Sequence, residues 1–200
     1  HRRHASVHNI TKFVKKSYAG PLFKKEITAI NLVIKNKKEP VTCIIGGSKI
    51  STKINVITNL ITKVNNLVIV GAMANNFFLY KNLKIGKSLI EENTNKVIKD
   101  IYKKAELNNC EILIPKDCMV GTNFDGNGKN KNLNEILDNE IILDIGKNTI
   151  KSIQKTINES NTVLWNGPAG YFENENFSRG TLSIAENISK NTIEKSLISI

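Results

Sequence analysis

The chain has 200 residues, of which 40% are hydrophobic and four are proline, so it can fold as one domain or as one domain with part of another. Its formal net charge is +11, but the lysines are spread along the sequence and only 6% of the residues are aromatic. Lysine enriched together with asparagine is typical of an AT-rich genome and predicts a solvated basic surface, with no nucleic-acid partner. The charge still favours polyanionic ligands such as phosphates.

The cysteines and the apolar runs indicate the compartment of the protein and whether it contacts a membrane. Cys43, Cys110 and Cys118 are odd in number and far apart, which favours buried thiols in a reducing cytoplasm over disulfides or a zinc site. We find no apolar run of membrane-spanning length and no signal-peptide pattern, so we expect no membrane partner. The chain begins without methionine and ends in the apolar run 196–200, which we interpret as two cut ends of a longer protein.

The predicted elements begin with a helix over residues 24–37. A strand follows over residues 41–45 and ends at two glycines. Ser51 is placed to cap the next helix, whose apolar positions continue to Val64. A second buried strand covers residues 67–70.

Helices and strands continue to alternate in the second half of the chain. The predicted helices cover residues 92–107, 150–157 and 177–193, and the predicted strands cover residues 111–114, 162–165 and 197–200. Residues 121–139 are polar and without period, which indicates a hairpin or a surface loop. Because the strands are continuously apolar, we predict an α/β fold: a doubly wound parallel sheet with helices on both faces, a Rossmann-like three-layer sandwich.

A loop rich in glycine and lysine follows the first strand. Gly46, Gly47 and Ser48 would let the backbone approach a ligand, and Lys49 and Lys53 would share one helix face and reach the same anion. The loop is neither a Walker A loop nor a dinucleotide fingerprint. It is either an anion site or a tight turn with two surface lysines.

Two later strand ends also carry small or polar residues. Gly71 opens a turn that either admits the flat face of a base or allows close helix packing. Asn166, followed by Gly167 and Pro168, can donate hydrogen bonds to phosphate oxygens, and Glu173 can accept them from a ribose diol. The alternative is a capped turn with an unrelated glutamate.

The remaining ionisable residues are less informative. His1, Arg2 and His4 suit carboxylate and phosphate groups, or form a solvated tail. Asp117 and Asp144 have no spacing to other residues that indicates a metal site or a catalytic pair. We therefore predict no metal ligands in this chain.

Taken together, these residues resemble the phosphoglycerate kinase family over essentially the whole chain. Residues 46–54 are similar to the family's Gly-Gly-Ala-Lys-Val-x-x-Lys-Ile signature, and residues 165–173 to its Trp-Asn-Gly-Pro-x-Gly-x-Phe-Glu segment. Residues 71–74 are similar to its Gly-Gly-Met-Ala turn, and residues 1–6 to its His-Arg-Ala-His-Ala-Ser run.

The resemblance implies a cytoplasmic, monomeric glycolytic enzyme that moves a phosphoryl group between 1,3-bisphosphoglycerate and ADP on one side and 3-phosphoglycerate and ATP on the other. Residues 1–37 would be the end of the substrate-binding lobe and the interdomain helix. Residues 38–200 would be the nucleotide-binding domain. The Mg²⁺ ion would be bound through the nucleotide.

The resemblance also implies a role for each site residue. Lys49 and Lys53 would be catalytic, and 3-phosphoglycerate would be bound by His1, Arg2 and His4. The nucleotide would be bound by the same two lysines together with Gly46, Gly47, Ser48, Gly71, Asn166, Gly167, Pro168 and Glu173.

The sequence departs from the family pattern in ways that carry expectations. Val70 and Ala72 stand where the family usually has glycines, which predicts a narrower adenine pocket. The family's last glycine-rich phosphate loop would follow Ile200, so we expect the isolated chain to be inactive. A non-catalytic nucleotide-binding protein of the same fold is the alternative function. A dehydrogenase is disfavoured because no Gly-x-Gly-x-x-Gly follows a predicted strand.

Overall fold

The computed structural model describes residues 5–200, except for the side chains of Val7, Ala29, Ile30, Leu32, Val33 and Ile34. The predicted substrate-binding residues His1, Arg2 and His4 lie outside the described residues. The chain divides into two compact units, one ending at Asn36 and the other spanning Lys37–Ile200.

The first unit is helical. It contains a π-helical turn over Ala5–Asn9, a 3-10 turn over Ile10–Lys12 and the helix α1 over Pro21–Asn36. The helix predicted over residues 24–37 is confirmed, and it begins earlier because a proline has no backbone N–H to lose at the first helical position.

The second unit is built from eight strands and five helices within its described residues. The strands are Val41–Ile45 (β1), Asn66–Ile69 (β2), Glu111–Leu113 (β3), Asp117–Gly121 (β4), Lys129–Asn132 (β5), Ile141–Ile145 (β6), Thr162–Asn166 (β7) and Ile198–Ser199 (β8). The helices are Ile54–Leu60 (α2), Ala74–Tyr80 (α3), Asn95–Leu107 (α4), Lys147–Asn158 (α5) and Arg179–Lys195 (α6). None of the helices in residues 5–200 is long and apolar enough to cross a bilayer.

The main sheet has five parallel strands in the order β3-β2-β1-β7-β8. The order reverses at β1, so the sheet is doubly wound, as predicted. The reversal creates a switch point between β1 and β7, and the carboxyl ends of these strands are where open α/β sheets bind ligands.

The side chains of β1 show why the sheet is buried on both faces. Val41, Cys43 and Ile45 belong to one core cluster, which also contains buried side chains of α2, α3 and α4. Ile44 points to the other face and packs in a cluster with buried side chains of α5 and α6. A strand covered on both faces needs apolar residues at odd and even positions alike, which explains the continuous apolar runs.

A second sheet, antiparallel and with the strand order β5-β4-β6, accompanies the parallel sheet. The polar segment 121–139 contains the turn and second strand of the β4–β5 hairpin, so the hairpin alternative is the one the structure shows. The prediction of a parallel sheet missed β4 and β6, because β4 begins with a carboxylate at Asp117 and Asp144 interrupts the short apolar run of β6.

Two local predictions need correction around α2 and α3. Ser51 does not cap α2, because Lys53 occupies the N-cap position and no side chain caps that helix end. The helix α3 was not predicted, because its sequence is short and its residues from Ala74 to Phe78 are all buried, which removes the helical period.

Asp117 joins the second sheet to α5. Its carboxylate is fully buried and accepts hydrogen bonds from the backbone N–H groups of Asn148 and Thr149 at 2.9 and 2.7 Å. The Thr149 hydroxyl at 2.7 Å and the Asn130 side-chain amide at 3.1 Å also donate to it. Burial opposes ionisation, but these donors outweigh it and hold the pKa of Asp117 below its ordinary value.

We predict that Asp117→Ala lowers the free energy of unfolding by about 2 kcal/mol near neutral pH, because it leaves the first turn of α5 without its acceptor. The ionised carboxylate stabilises the fold fully above the ordinary carboxyl pKa. This contribution disappears as the pH falls through the lowered pKa of the folded state, so the difference from the unmodified chain should vanish in acid. Urea denaturation across pH measures it, with the exposed Asp138→Ala as the control. A constant difference at every pH would contradict the assignment.

Candidate functional site

Three loops meet at the switch point of the parallel sheet. The last residues of β1 and β7, Ile45 and Asn166, are paired across the sheet, and Ile45 also pairs with Ile69 at the end of β2. The loops that follow these three strands therefore leave the same edge of the sheet. They carry most of the residues that the sequence predicts for a ligand site.

The loops after β1 and β7 are in direct backbone contact. The Gly46 N–H donates to the Asn166 carbonyl at 2.8 Å. A Cβ on Gly46 would lie 2.0 Å from the Pro168 carbonyl oxygen, and one on Gly167 would lie 2.6 Å from the Gly46 carbonyl oxygen. Gly167 also has a φ of +90°, a conformation that side chains disfavour. Only glycine allows the two backbones to approach this closely.

The loop after β2 packs against the other two. The Gly71 N–H donates to the Ala169 carbonyl at 3.1 Å, and the Met73 N–H donates to the Gly47 carbonyl at 2.9 Å. Gly71 has a φ of +69°, and a Cβ there would lie 2.6 Å from the Gly47 nitrogen. The sequence left two explanations for Gly71, contact with a base and close packing. The close backbone contacts explain why this position is a glycine.

The ammonium group of Lys53 closes the same junction. Its Nζ donates to the Gly46 carbonyl at 2.8 Å and to the Asn166 Oδ1 at 2.6 Å. Burial lowers the pKa of Lys53, and the Cys43 thiol beneath it acts in the opposite direction. Because Asn166 accepts through its oxygen, its amide N–H₂ group is left to donate to a ligand.

Lys49 and Lys53 do not share a helix face, contrary to the prediction. Both precede α2, and the Lys53 N–H donates to the Ile50 carbonyl at 2.9 Å, which forms a turn. The spacing of four residues was misleading because α2 begins only after Lys53, whose carbonyl accepts the Ile57 N–H, so Lys49 lies outside the helix. Lys49 is exposed, whereas Lys53 is half-buried.

A cleft of about 490 Å³ opens beside the three loops. Its lining includes five of the predicted site residues, namely Gly47, Ser48, Gly71, Pro168 and Glu173. The other predicted residues of this region, Gly46, Lys49, Lys53, Asn166 and Gly167, do not line the cleft. Apolar side chains, among them Phe78, Leu143 and Tyr171, form another part of its wall. The site thus combines polar loops with an apolar recess.

The two residues expected to narrow the adenine pocket, Val70 and Ala72, differ in position. Ala72 lines the cleft, but Val70 is fully buried in the core beneath the sheet and does not reach it. The alternative of a non-catalytic protein was based on these two positions, of which only Ala72 lines the cleft.

Asp144, at the end of the second sheet, lines the cleft although no sequence spacing indicated it. Its carboxylate accepts from the backbone N–H groups of Gly180 at 2.7 Å and Ile145 at 2.8 Å. Burial raises the pKa of Asp144 to about 7, because two backbone donors do not offset its desolvation. The sequence feature that could have indicated Asp144 is its position inside the apolar run Ile141–Ile145. A carboxylate buried there needs hydrogen-bond donors from the surrounding protein.

Within residues 5–200, no group of three His, Cys, Asp or Glu side chains could hold a metal ion. The doubly wound sheet and the cleft beside its switch point define an α/β domain of the class that binds ligands at the carboxyl ends of its strands.

Comparison with known proteins identifies the family. The family model described as "Phosphoglycerate kinase" matches residues 1–200, and this chain belongs to that family.

Individual relatives agree with this assignment. The phosphoglycerate kinase of Wolbachia pipientis subsp. Culex pipiens (strain wPip) is 41% identical over 201 residues, covering 100% of this chain and 50% of the relative. That of Synechococcus sp. (strain CC9605) is 41% identical over 187 residues, covering 92% of this chain and 47% of the relative. The chain thus spans about half the length of the curated relatives it matches.

Solved structures show the same relation. Phosphoglycerate kinase from Coxiella burnetii matches with a TM-score of 0.82 and 35% identity, over 95% of this chain and 50% of that one. The enzyme from Pyrococcus horikoshii OT3 matches with a TM-score of 0.68 and 25% identity, over 84% of this chain and 44% of that one.

We predict that Gly46→Ala lowers the free energy of unfolding by about 3 kcal/mol, because its Cβ would force the loops after β1 and β7 apart. Chemical denaturation measures the loss. The matched control is Gly20→Ala, where a Cβ would meet nothing within 4 Å. Equal stability of the two variants would show that the loop contact is not required.

Proposed function

We propose that this chain is the nucleotide-binding part of a phosphoglycerate kinase. In that reaction the β-phosphate oxygen of ADP attacks the acyl phosphate of 1,3-bisphosphoglycerate, and the acyl C–O–P bond breaks at phosphorus. The products are ATP and the carboxylate of 3-phosphoglycerate. The observation that carries the proposal is the Lys53 ammonium, held against Gly46 and Asn166 where three glycine-containing loops converge.

The arrangement of the cleft supports a position for each part of the nucleotide. The phosphates would lie against Gly47 and Ser48 in the cleft lining and extend to the exposed Asn166 amide and the Lys53 ammonium beyond it. Glu173 is exposed at the cleft and would accept hydrogen bonds from the ribose hydroxyls. The base would occupy the apolar recess that includes Phe78.

The two lysines would have different roles. Lys53 is already bound to two oxygen atoms, so it would act as a fixed charge that helps to order the phosphate site. Lys49 is exposed on the same loop and would contact the phosphoryl group during transfer. Transfer of this kind depends on positioning and charge stabilisation, so the protein needs no nucleophile.

The division of the chain supports separate roles for its two parts. We propose that residues 1–37 belong to the 3-phosphoglycerate-binding lobe and the interdomain helix, with His1, Arg2 and His4 on the acid side. The nucleotide domain would comprise residues 38–200, and the division into compact units after Asn36 supports this boundary.

We also propose a monomer that acts in the cytoplasm on the magnesium complexes of ADP and ATP. Cys43, Cys110 and Cys118 are all buried and free, which suits a reducing compartment. The ion would enter this part of the site on the nucleotide phosphates, as the family resemblance implies.

We predict that Lys53→Met weakens MgADP binding by about tenfold or more, because it removes a charged donor from the phosphate site. Glu173→Ala should weaken binding by several fold through loss of the ribose contact. Trp165 reports the binding through its fluorescence, since it is half-buried and its Nε1 donates to the Gly167 carbonyl at 2.8 Å.

The control for this titration is Lys151→Met, which removes an equally charged but exposed side chain from α5. Circular dichroism of each variant checks that the fold is intact. Saturable binding that is weakened only at Lys53 and Glu173 would support the nucleotide site. Absence of binding by the unmodified chain at millimolar MgADP would overturn it.

We predict that Lys49→Met, made in the protein that carries this chain together with the other half of the family's length, lowers kcat by about 100-fold with little change in the KM for ADP. The reason is that the exposed lysine acts mainly on charge that develops during transfer. A coupled assay of phosphoglycerate turnover measures both constants. A large rise in KM at unchanged kcat would instead place Lys49 in ground-state binding.

A further inference from the structure

The loop between β1 and α2, residues 46–53, carries both lysines and is held by contacts along its length; we call it the lysine loop. Near its start, the Gly47 carbonyl accepts the Met73 N–H at 2.9 Å. Near its end, Ser51 lies between Lys49 and Lys53 and is bound by a carboxylate from a different part of the chain. That carboxylate belongs to Glu91.

Glu91 binds Ser51 through both of its oxygens. The Ser51 N–H donates to Oε2 at 3.0 Å, and the Ser51 hydroxyl donates to Oε1. The desolvation of Glu91 opposes its ionisation. The Ser51 hydrogen bonds and the nearby charge of Lys49 outweigh this effect and hold the pKa of Glu91 below its ordinary value. The carboxylate is therefore ionised at neutral pH and its two contacts are charge-assisted.

Two adjacent buried asparagines at the start of α3 hold the segment that carries Glu91. The Asn76 Oδ1 accepts the Glu91 N–H at 3.0 Å and the Thr94 hydroxyl at 3.3 Å. The Asn75 side-chain amide donates to the Leu89 carbonyl at 2.9 Å. Both asparagines are at most 1% exposed, so their amides bind this segment away from competing water.

The segment also reaches the cleft, because Leu89 is one of its lining residues. The same seven residues before α4, 88–94, thus contribute to the cleft wall and hold the lysine loop. The hydrogen bonds lie at the surface and contribute little to global stability, since Ser51 is exposed and Glu91 only half-buried. Their consequence is local: they restrict the position of the turn between the two lysines.

We propose that Glu91 is a positioning residue for the lysine loop, and that it sets the loop for the phosphate groups of the nucleotide. This inference rests on the proposed nucleotide site. Glu91 acts through Ser51, while Asn75 and Asn76 hold Glu91 in place. Loss of its two contacts to Ser51 should therefore affect the phosphate part of the ligand and not the nucleoside part.

The test compares three substitutions at one position. Glu91→Ala removes both contacts, and Glu91→Asp keeps the charge but shortens the side chain by one methylene. Glu91→Gln removes the charge but keeps the reach, because its amide can accept the Ser51 N–H and donate to the Ser51 hydroxyl. The adjacent, exposed Glu92→Ala is the matched control.

We expect ADP affinity, measured by calorimetry on the full chain, to fall about five- to tenfold in the Ala and Asp variants. The Gln and Glu92→Ala variants should stay within twofold of the unmodified chain. Adenosine affinity should be unchanged in all four. Amide hydrogen exchange without ligand should also accelerate at Ser51 in Glu91→Ala, because its N–H loses its acceptor.

The outcomes separate this inference from the proposed function. If the unmodified chain binds no ADP, the proposed nucleotide site fails and the inference fails with it. If it binds ADP and Glu91→Ala binds equally well, only the inference fails. An equal loss of ADP and adenosine affinity would also overturn it, because that result indicates a general disturbance of the cleft. A Gln variant as weak as the Ala variant would overturn it as well, because Gln keeps the reach and both contacts to Ser51.

Discussion

The close contact between the Gly46 and Gly167–Pro168 backbones is the constraint on which the site depends. A parallel sheet places the ends of β1 and β7 side by side, but side chains would normally keep the following loops apart. Glycine at both positions removes that obstacle, and the Lys53 ammonium then joins the two loops through a carbonyl and an amide oxygen. The result is a positive charge held at a junction made mostly of backbone.

The second sheet provides a part of the cleft wall that the parallel sheet does not form. It supplies cleft-lining residues opposite the glycine loops, including Asp144, and it is tied to α5 through Asp117. The two buried aspartates show how desolvation and hydrogen-bond donors together set the charge of a carboxylate. Asp117 has four hydrogen-bond donors and a lowered pKa, whereas Asp144 has two backbone donors and a raised one.

Much of the parallel sheet was predictable, because a strand covered on both faces must be apolar throughout. The predicted strand over residues 41–45 agrees with the structure residue by residue, and the face of α4 that contains Ile98 and Ile101 is buried as its period indicated. Prediction failed for elements that bury polar or charged side chains. The strands β4 and β6 contain carboxylates, and the first turn of α3 contains two buried asparagines, so none of these three elements shows a simple hydrophobic period.

The same distinction holds for the site. By itself the sequence determined which strand ends carry glycine, lysine and asparagine, because each of these loops is a continuous stretch that directly follows an apolar run. The tertiary structure alone decided that Lys49 and Lys53 lie in a turn, that Val70 is in the core, and that Asp144 and Glu91 belong to the neighbourhood of the site. The positions of Glu91 and Asp144 depend on hydrogen bonds to residues 40 and 36 positions away, and no local pattern indicates which distant partner a buried or charged group will find.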